Sequence, residues 1–401
     1  MKSTAQPCLF LGSVDKPERG DILKLKEKWR YKMIIQSTHV WIDDCLQPAQ
    51  LEIADGLIQA ILPYGEKQPD HDYQDLWILP GFIDIHTHGW NRCEAGKPTL
   101  EAMRRWQKHM PEEGVTAFLA TTATQSQRQN EQALPVLREA IEAPGEGAEI
   151  LGINMEGNFI SHQFHGAQDL YTIVKPDPEV LLHYQDLAGG HIMTVTCAVE
   201  FDEDYAFVKT AAAHHIRVSC GHSGASFDQV KDAVAAGATG ITHCGNGMRP
   251  FHHRNPGIFG AALNLDELYA EVIGDGIHVH FETAHLIGTM KGADKLILVT
   301  DSAECKDDPA AAQYRREGAF RLPDGTLFGS ALYVNQGVDN LHRKARLPLV
   351  TAIHAATINP ARYLGVADRK GSLEAGKDAD LVVCDENIQL QAVFCKGVRQ
   401  A

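Results

Sequence analysis

Seven short apolar runs in this chain end in, or run into, residues that can hold a metal ion or move a proton. The run 77–86 leads into His86-Thr87-His88, and a spacing of two on an extended strand puts both imidazoles on one face. The runs 149–157 and 191–200 end in Glu156-Gly157 and Glu200. His222 lies in 216–224, His243 in 240–248, Asp275 and His278 in 269–279, and Asp301 in 295–304. Taken singly, a histidine at a strand end serves as well as a hydrogen-bonded structural residue, and an aspartate there is a common helix N-cap. Together at one mouth, imidazoles and carboxylates suit Zn²⁺ or another borderline divalent ion. Asp301 has a chemical role of its own. Water activated by such an ion needs a base for its proton, and the same group can then protonate a departing nitrogen. The competing role for Asp301 is to orient a ligand imidazole. Arg249, His252, His253 and Arg254 form a basic cluster in a loop rich in Pro and Gly. Such a loop is either a grip for an anion such as phosphate or a solvated or subunit-contact loop.

One fold brings these residues together. The strand-like runs, with 115–123 as an eighth, alternate with helical segments such as 100–114 and 226–237. Ser226 and Gly237 bound the second of these as caps. Eight such units predict an α/β fold, a (β/α)₈ TIM-like barrel, whose active site gathers at the carboxyl ends of its strands. A doubly wound open sheet is the alternative, but it would carry a glycine-rich phosphate turn after its first strand, where His86-Thr87-His88-Gly89 stands. Extended segments at 33–63 and 381–398 predict a small β-sandwich domain built from both chain ends. The expected division is an N-terminal extension at 1–32, the β-sandwich at 33–79 with 366–401, and the barrel at 80–365. Residues 1–32 lack a core-facing period.

The 401 residues carry 37 Lys and Arg against 52 Asp and Glu, a net charge of −15, which argues against nucleic acid or an anionic membrane as partner. No apolar run approaches the ~18 residues of a membrane-spanning helix, and no secretory signal is evident. Nine scattered cysteines without a C-x-x-C pair fit reduced thiols and a cytoplasmic location.

Beyond these readings, the sequence resembles the N-acetylglucosamine-6-phosphate deacetylase family of the amidohydrolase superfamily from residue 33 to its end. The matching stretches are LPGFIDIHTHG, MEG at 155–157, GHSGAS, THCGNGMRPFHHRNPGIFGAAL, GDGIHVH, LVTDSAE, LPDGTLFGSAL, ATINPARYLG and GSLEAGKDADLVV. The resemblance implies Glu156, His222 and His243 as main metal ligands, with His86 and His88 as a pair permitting a second ion. It implies Zn or Fe, one or two ions per subunit. It makes Asp301 the catalytic acid–base, and it assigns substrate contacts to Ala167, Gln168, Asn246, Gly247, His278, Phe328 and Gly329. Arg254 matches a phosphate-binding arginine that reaches across a dimer interface, so a homodimer is expected. The implied reaction is removal of acetyl from an N-acetylated amino sugar, N-acetylglucosamine 6-phosphate or a close relative. Alternatives are another N-acyl sugar, cyclic amide or lactone as substrate, or a non-catalytic sugar-phosphate-binding regulator. Three departures concern the substrate side. Asn154-Met155-Glu156-Gly157-Asn158 replaces His-Leu-Glu-Gly-Pro, Gln168 stands where the family commonly has His, and Ser302-Ala303 replaces Ala-Met.

Overall fold

The computed structural model describes residues 32–401; the expectation for the N-terminal extension at 1–32 falls almost wholly outside them. Eight parallel strands form a barrel in strict chain order: Phe82–Thr87, Val115–Thr122, Glu149–Met155, Ile192–Cys197, Arg217–Cys220, Gly240–Ile241, Tyr269–Ile273 and Leu296–Val299. Parallel strands covered by helices are buried on both faces, and every residue of Val115–Thr122 is buried. Its successive side chains alternate between two apolar clusters. Phe118 and Ala120 join the layer under the helices with Trp106 and Leu134, while Ala117 and Leu119 pack with Ile273 and Val299.

The first and eighth strands are joined mostly beyond the regular ladder. The Asp301 N–H donates to the His86 carbonyl at 2.8 Å, and the His88 N–H to the Ser302 carbonyl at 3.0 Å. Thr87 and Ser302 share a hydroxyl hydrogen bond of 2.7 Å, and the Thr300 hydroxyl donates to Asp84 Oδ2 at 2.6 Å. Burial pushes the Asp84 carboxyl up to about 7, against the opposing effect of the Thr300 hydrogen bond.

The helix Phe227–Ala236 starts at Ser226, whose side chain and that of Gln229 form a reciprocal capping box, and stops at Gly237 with φ +123°. The run 77–86 resolves into two strands of different sheets. Trp77–Pro80 belongs to the end sheet, and the chain crosses into the barrel at Gly81. A Cβ at Gly81 would lie 2.2 Å from Thr116 Oγ1, so only glycine fits that crossing.

Both chain ends build the second sheet. Met33–Ile42, Cys45–Ala54 and Leu57–Pro63 lie on one side of Trp77–Pro80; Leu381–Cys384, Leu390–Cys395 and Val398–Arg399 lie on the other. Its own apolar cluster includes Leu51, Ile58, Ile78, Leu381 and Phe394. Beneath the barrel, Lys370 is 1% exposed and pairs with Glu149 (3.1 Å), Asp378 (2.8 Å) and Asp380 (2.6 Å). No helix among the described residues is long and apolar enough to cross a membrane.

Candidate active site

The carboxyl ends of the barrel strands open into a cavity of about 500 Å³. His88, Glu156, His222, His243 and Asp301 line it, together with Ala167, Gln168, Asn246, Gly247, His278, Phe328 and Gly329. His86 lies behind this wall, fully buried. His222, His243 and Asp301 take left-handed backbone conformations, with φ of +45°, +26° and +47°. Such conformations are disfavoured for residues with a Cβ and persist where the surrounding structure enforces them.

Glu156 is the hub. Its Oε1 lies 2.8 Å from His243 Nε2, 3.1 Å from His222 Nε2 and 3.5 Å from His86 Nε2. Its Oε2 lies 3.1 Å from His88 Nε2, which is itself 3.2 Å from Asp301 Oδ1. The Nε2 atoms of His222 and His243 are 3.2 Å apart.

The ring orientations are set from behind. His222 donates its Nδ1–H to the Phe164 carbonyl at 2.7 Å, leaving the Nε2 lone pair directed at Glu156. His86 donates through Nδ1 to Glu271 Oε2 at 3.0 Å, and the same oxygen accepts the His243 backbone N–H. The glycines beside His222 are dictated by space. A Cβ at Gly247, where φ is +54°, would fall 2.7 Å from His222 Nδ1.

This donor set fits a divalent ion. Two overlapping groups, His86–His88–Asp301 and His86–Glu156–His243, each bring three ligand atoms within 4.8 Å of one another. Among the described residues His86 Nε2 has no hydrogen-bond partner although it is buried, as a lone pair reserved for a metal would be. Burial alone would push Glu156 up and His88 down. The charge of His86 and hydrogen bonds with His222, His243 and His86 outweigh it at Glu156, holding that carboxyl well below the usual range. Hydrogen bonds with Asp301 and Glu156 outweigh it at His88, raising that imidazole to about 10. Burial likewise pushes Asp301 up, but the hydrogen bond from His88 outweighs it and keeps the carboxylate ionised. So acidic a cluster attracts a cation, whether a proton on imidazole or a metal ion.

His278 donates through Nδ1 to Asp275 Oδ2 at 2.6 Å, and its Nε2, buried at the cavity wall, has no hydrogen-bond partner among the described residues. Arg254 is not among the cavity's lining residues. It lies on an exposed loop, 2.8 Å from His253 Nε2. Glu200 also stays outside the cavity, accepting hydrogen bonds of 2.6 Å from the Ser223 hydroxyl and the Gly224 N–H. Asn154 donates to the Ile85 carbonyl at 3.2 Å, tying the third strand to the first. Glu271 was not singled out from the sequence, although an acid between Ala270 and Val272 in an apolar strand is the signal that marks it.

A model of the amidohydrolase family matches residues 77–399. The chain is 37% identical over 369 residues to an N-acetylglucosamine-6-phosphate deacetylase of Bacillus subtilis (strain 168), covering 88% of this chain and 93% of the relative. It is 31% identical to an N-acetylgalactosamine-6-phosphate deacetylase of Escherichia coli O157:H7, covering 89% and 95%. Among solved structures, a mutant N-acetyl-D-glucosamine-6-phosphate deacetylase of Mycobacterium smegmatis in complex with N-acetyl-D-glucosamine-6-phosphate aligns with a TM-score of 0.87. That alignment has 27% identity and covers 92% of this chain and 99% of the other.

Proposed function

Because the chain belongs to the amidohydrolase family, we propose that it hydrolyses the acetamide of N-acetylglucosamine 6-phosphate or a close relative, giving acetate and the amino sugar phosphate. The observation that carries this reading is the convergence of Glu156, His222 and His243 on one point beside Asp301. In this reading Glu156, His222 and His243 hold the main ion, zinc or iron, with His86 and His88 available to a second. Bound there, a divalent ion would supply Lewis acidity toward the amide carbonyl and toward water.

The chain's own residues do the rest. Asp301, ionised and in contact with His88, takes the proton of the attacking water. It then delivers that proton to the departing nitrogen, so one carboxylate serves as base and acid in turn. His278, held in place by Asp275, presents its Nε2 at the cavity wall as a polar contact for the substrate. Ala167, Asn246, Gly247, Phe328 and Gly329 shape the sugar side of the cavity. Arg254 reaches the phosphate from a second subunit of a homodimer, and the enzyme works in the cytoplasm.

The E. coli relative named for N-acetylgalactosamine 6-phosphate favours a second reading that differs only in the sugar. Acetate release by the zinc-loaded protein from the two sugar phosphates and from unphosphorylated N-acetylglucosamine tests both. Faster turnover of one sugar phosphate selects between them. A rate that does not depend on the 6-phosphate removes the phosphate from the assignment, and no release from any of the three overturns the proposal.

A further inference from the structure

Gln168 lines the cavity where a substrate contact is expected, yet both ends of its amide are already engaged. Its Oε1 accepts the Thr124 backbone N–H at 2.8 Å, and its Nε2 donates to Glu156 Oε2 at 2.6 Å. The Thr124 N–H can only donate, and an ionised carboxylate can only accept. The amide orientation therefore follows from chemistry: turned over, it would set N–H against N–H and oxygen against carboxylate. The loop holding Gln168 is closed on itself as well. The Gln168 N–H donates to the His165 carbonyl at 3.0 Å, and His165 donates its Nδ1–H back to the Gln168 carbonyl at 3.2 Å. His165 is thereby occupied and is absent from the cavity wall.

Resting on the metal-dependent reading above, we propose that Gln168 is a positioning residue for Glu156 rather than a contact for the acetamide. Glu156 has two unlike oxygens. Oε1 faces His86, His222 and His243, whereas Oε2 is taken up by Gln168 and His88. The Gln168 donor has no charge to lose, so it holds Oε2 at any pH at which the carboxylate is ionised. Glu156 is thus restricted to presenting a single oxygen to an ion. Thr124 is the anchor of the arrangement, joining the end of the second strand to Glu156 through Gln168.

The test separates ion holding from substrate holding. Zn²⁺ affinity is measured on metal-stripped protein by competition with a chromogenic chelator, for wild type, Gln168→Ala, Gln168→Glu and Glu156→Gln. KM for N-acetylglucosamine 6-phosphate and kcat are then followed as Zn²⁺ is added. Loss of an outer hydrogen-bond partner of a metal ligand typically costs ~10–100-fold in affinity, and Gln168→Ala should weaken Zn²⁺ binding by about that factor. Gln168→Glu keeps the size but sets carboxylate against carboxylate, and should weaken it at least as much. Excess Zn²⁺ should restore much of kcat in Gln168→Ala, with KM within ~3-fold of wild type. Unchanged Zn²⁺ affinity in both Gln168 variants, or a raised KM that Zn²⁺ does not correct, overturns the proposal. Wild type that binds no Zn²⁺, or Glu156→Gln that binds it equally well, instead overturns the metal site itself.

Discussion

The two ends of the barrel each bury a cluster of charge, built on opposite plans. At the lower end, Lys370 sits among Glu149, Asp378 and Asp380, and Arg369 and Lys396 also pair with Glu149. Opposite charges alternate there and each has a partner. At the upper end, three imidazole nitrogens converge on one carboxylate oxygen, and among the described residues His86 Nε2 and His278 Nε2 lack hydrogen-bond partners. Burial by itself therefore does not mark a functional site. A buried cluster that satisfies itself locks the fold, whereas one whose lone pairs converge without satisfying one another is arranged for something that arrives from outside.

Breaking the upper cluster should remove function and spare the fold. Asp301→Asn is nearly isosteric and should lower kcat by ~10²–10⁴ while metal content stays full. If excess Zn²⁺ returned the variant to near the wild-type rate, Asp301 would be a ligand or an orienter and not the acid–base. Breaking the lower cluster should do the reverse. Lys370→Met leaves three carboxylates without their central cation, and removal of one partner from a buried ion pair costs ~3–5 kcal/mol. Urea denaturation should show that loss, with acetate release per folded molecule unchanged. A stability within ~1 kcal/mol of wild type would show that water or rearrangement replaces the lysine.

A finer test lies at Gly247. Gly247→Ala presses a methyl group on His222 Nδ1 and should cost ~10–100-fold in Zn²⁺ affinity, the range for disturbing the support of a ligand. Equal affinity in chelator competition would mean that the loop yields without moving the imidazole.

The smallest effect expected is the acid response of the lower end. Burial pushes Glu149 up, but the Arg369 hydrogen bond and the charges of Lys370 and Lys396 outweigh it, so its carboxyl lies well below the ordinary 4.5. A depressed carboxyl binds fewer protons in the folded chain than in the unfolded one. Its stabilisation is therefore complete above the unfolded value and is lost as pH falls from about 4.5 toward the folded value. Urea midpoints at about pH 7, 5 and 4 should fall with acid, and less steeply in Lys370→Met. Parallel slopes would show that other carboxylates carry the response.

Legibility in the sequence followed the range of the interactions. His86, Glu156, His222, His243 and Asp301 stand out because each closes an apolar run with an ionisable residue, and the barrel rule carries run ends to one mouth. The capped helix 227–236 was legible because Ser226 and Gly237 act through their immediate neighbours. The division of 77–86 between two sheets is not legible, because the need for glycine at the crossing depends on Thr116 in another strand, where a Cβ at Gly81 would collide. Glu200 resembles its neighbours at strand ends, yet it accepts hydrogen bonds from the Ser223 hydroxyl and the Gly224 N–H. Glu271 is marked locally only as an acid in an apolar strand, and its partner His86, like the double engagement of Gln168, depends on residues far along the chain.

The seam between the first and eighth strands also has a consequence in time. Thr300 and Asp84, which help to close it, are 216 residues apart, and Asp301 reaches His86 and His88 only across that junction. During synthesis, seven barrel strands must emerge between the two halves of the site, so a growing chain holds the histidines long before it holds the aspartate. Closing so large a loop carries an entropic cost that local structure cannot offset early, and contacts of this span form late. The nascent protein thus passes through a stage in which His86 and His88 are present but unclosed. A chain ending before Thr300 should expose the flank of its first strand and tend to aggregate, and competence for the reaction should arrive in one step when the last strand docks.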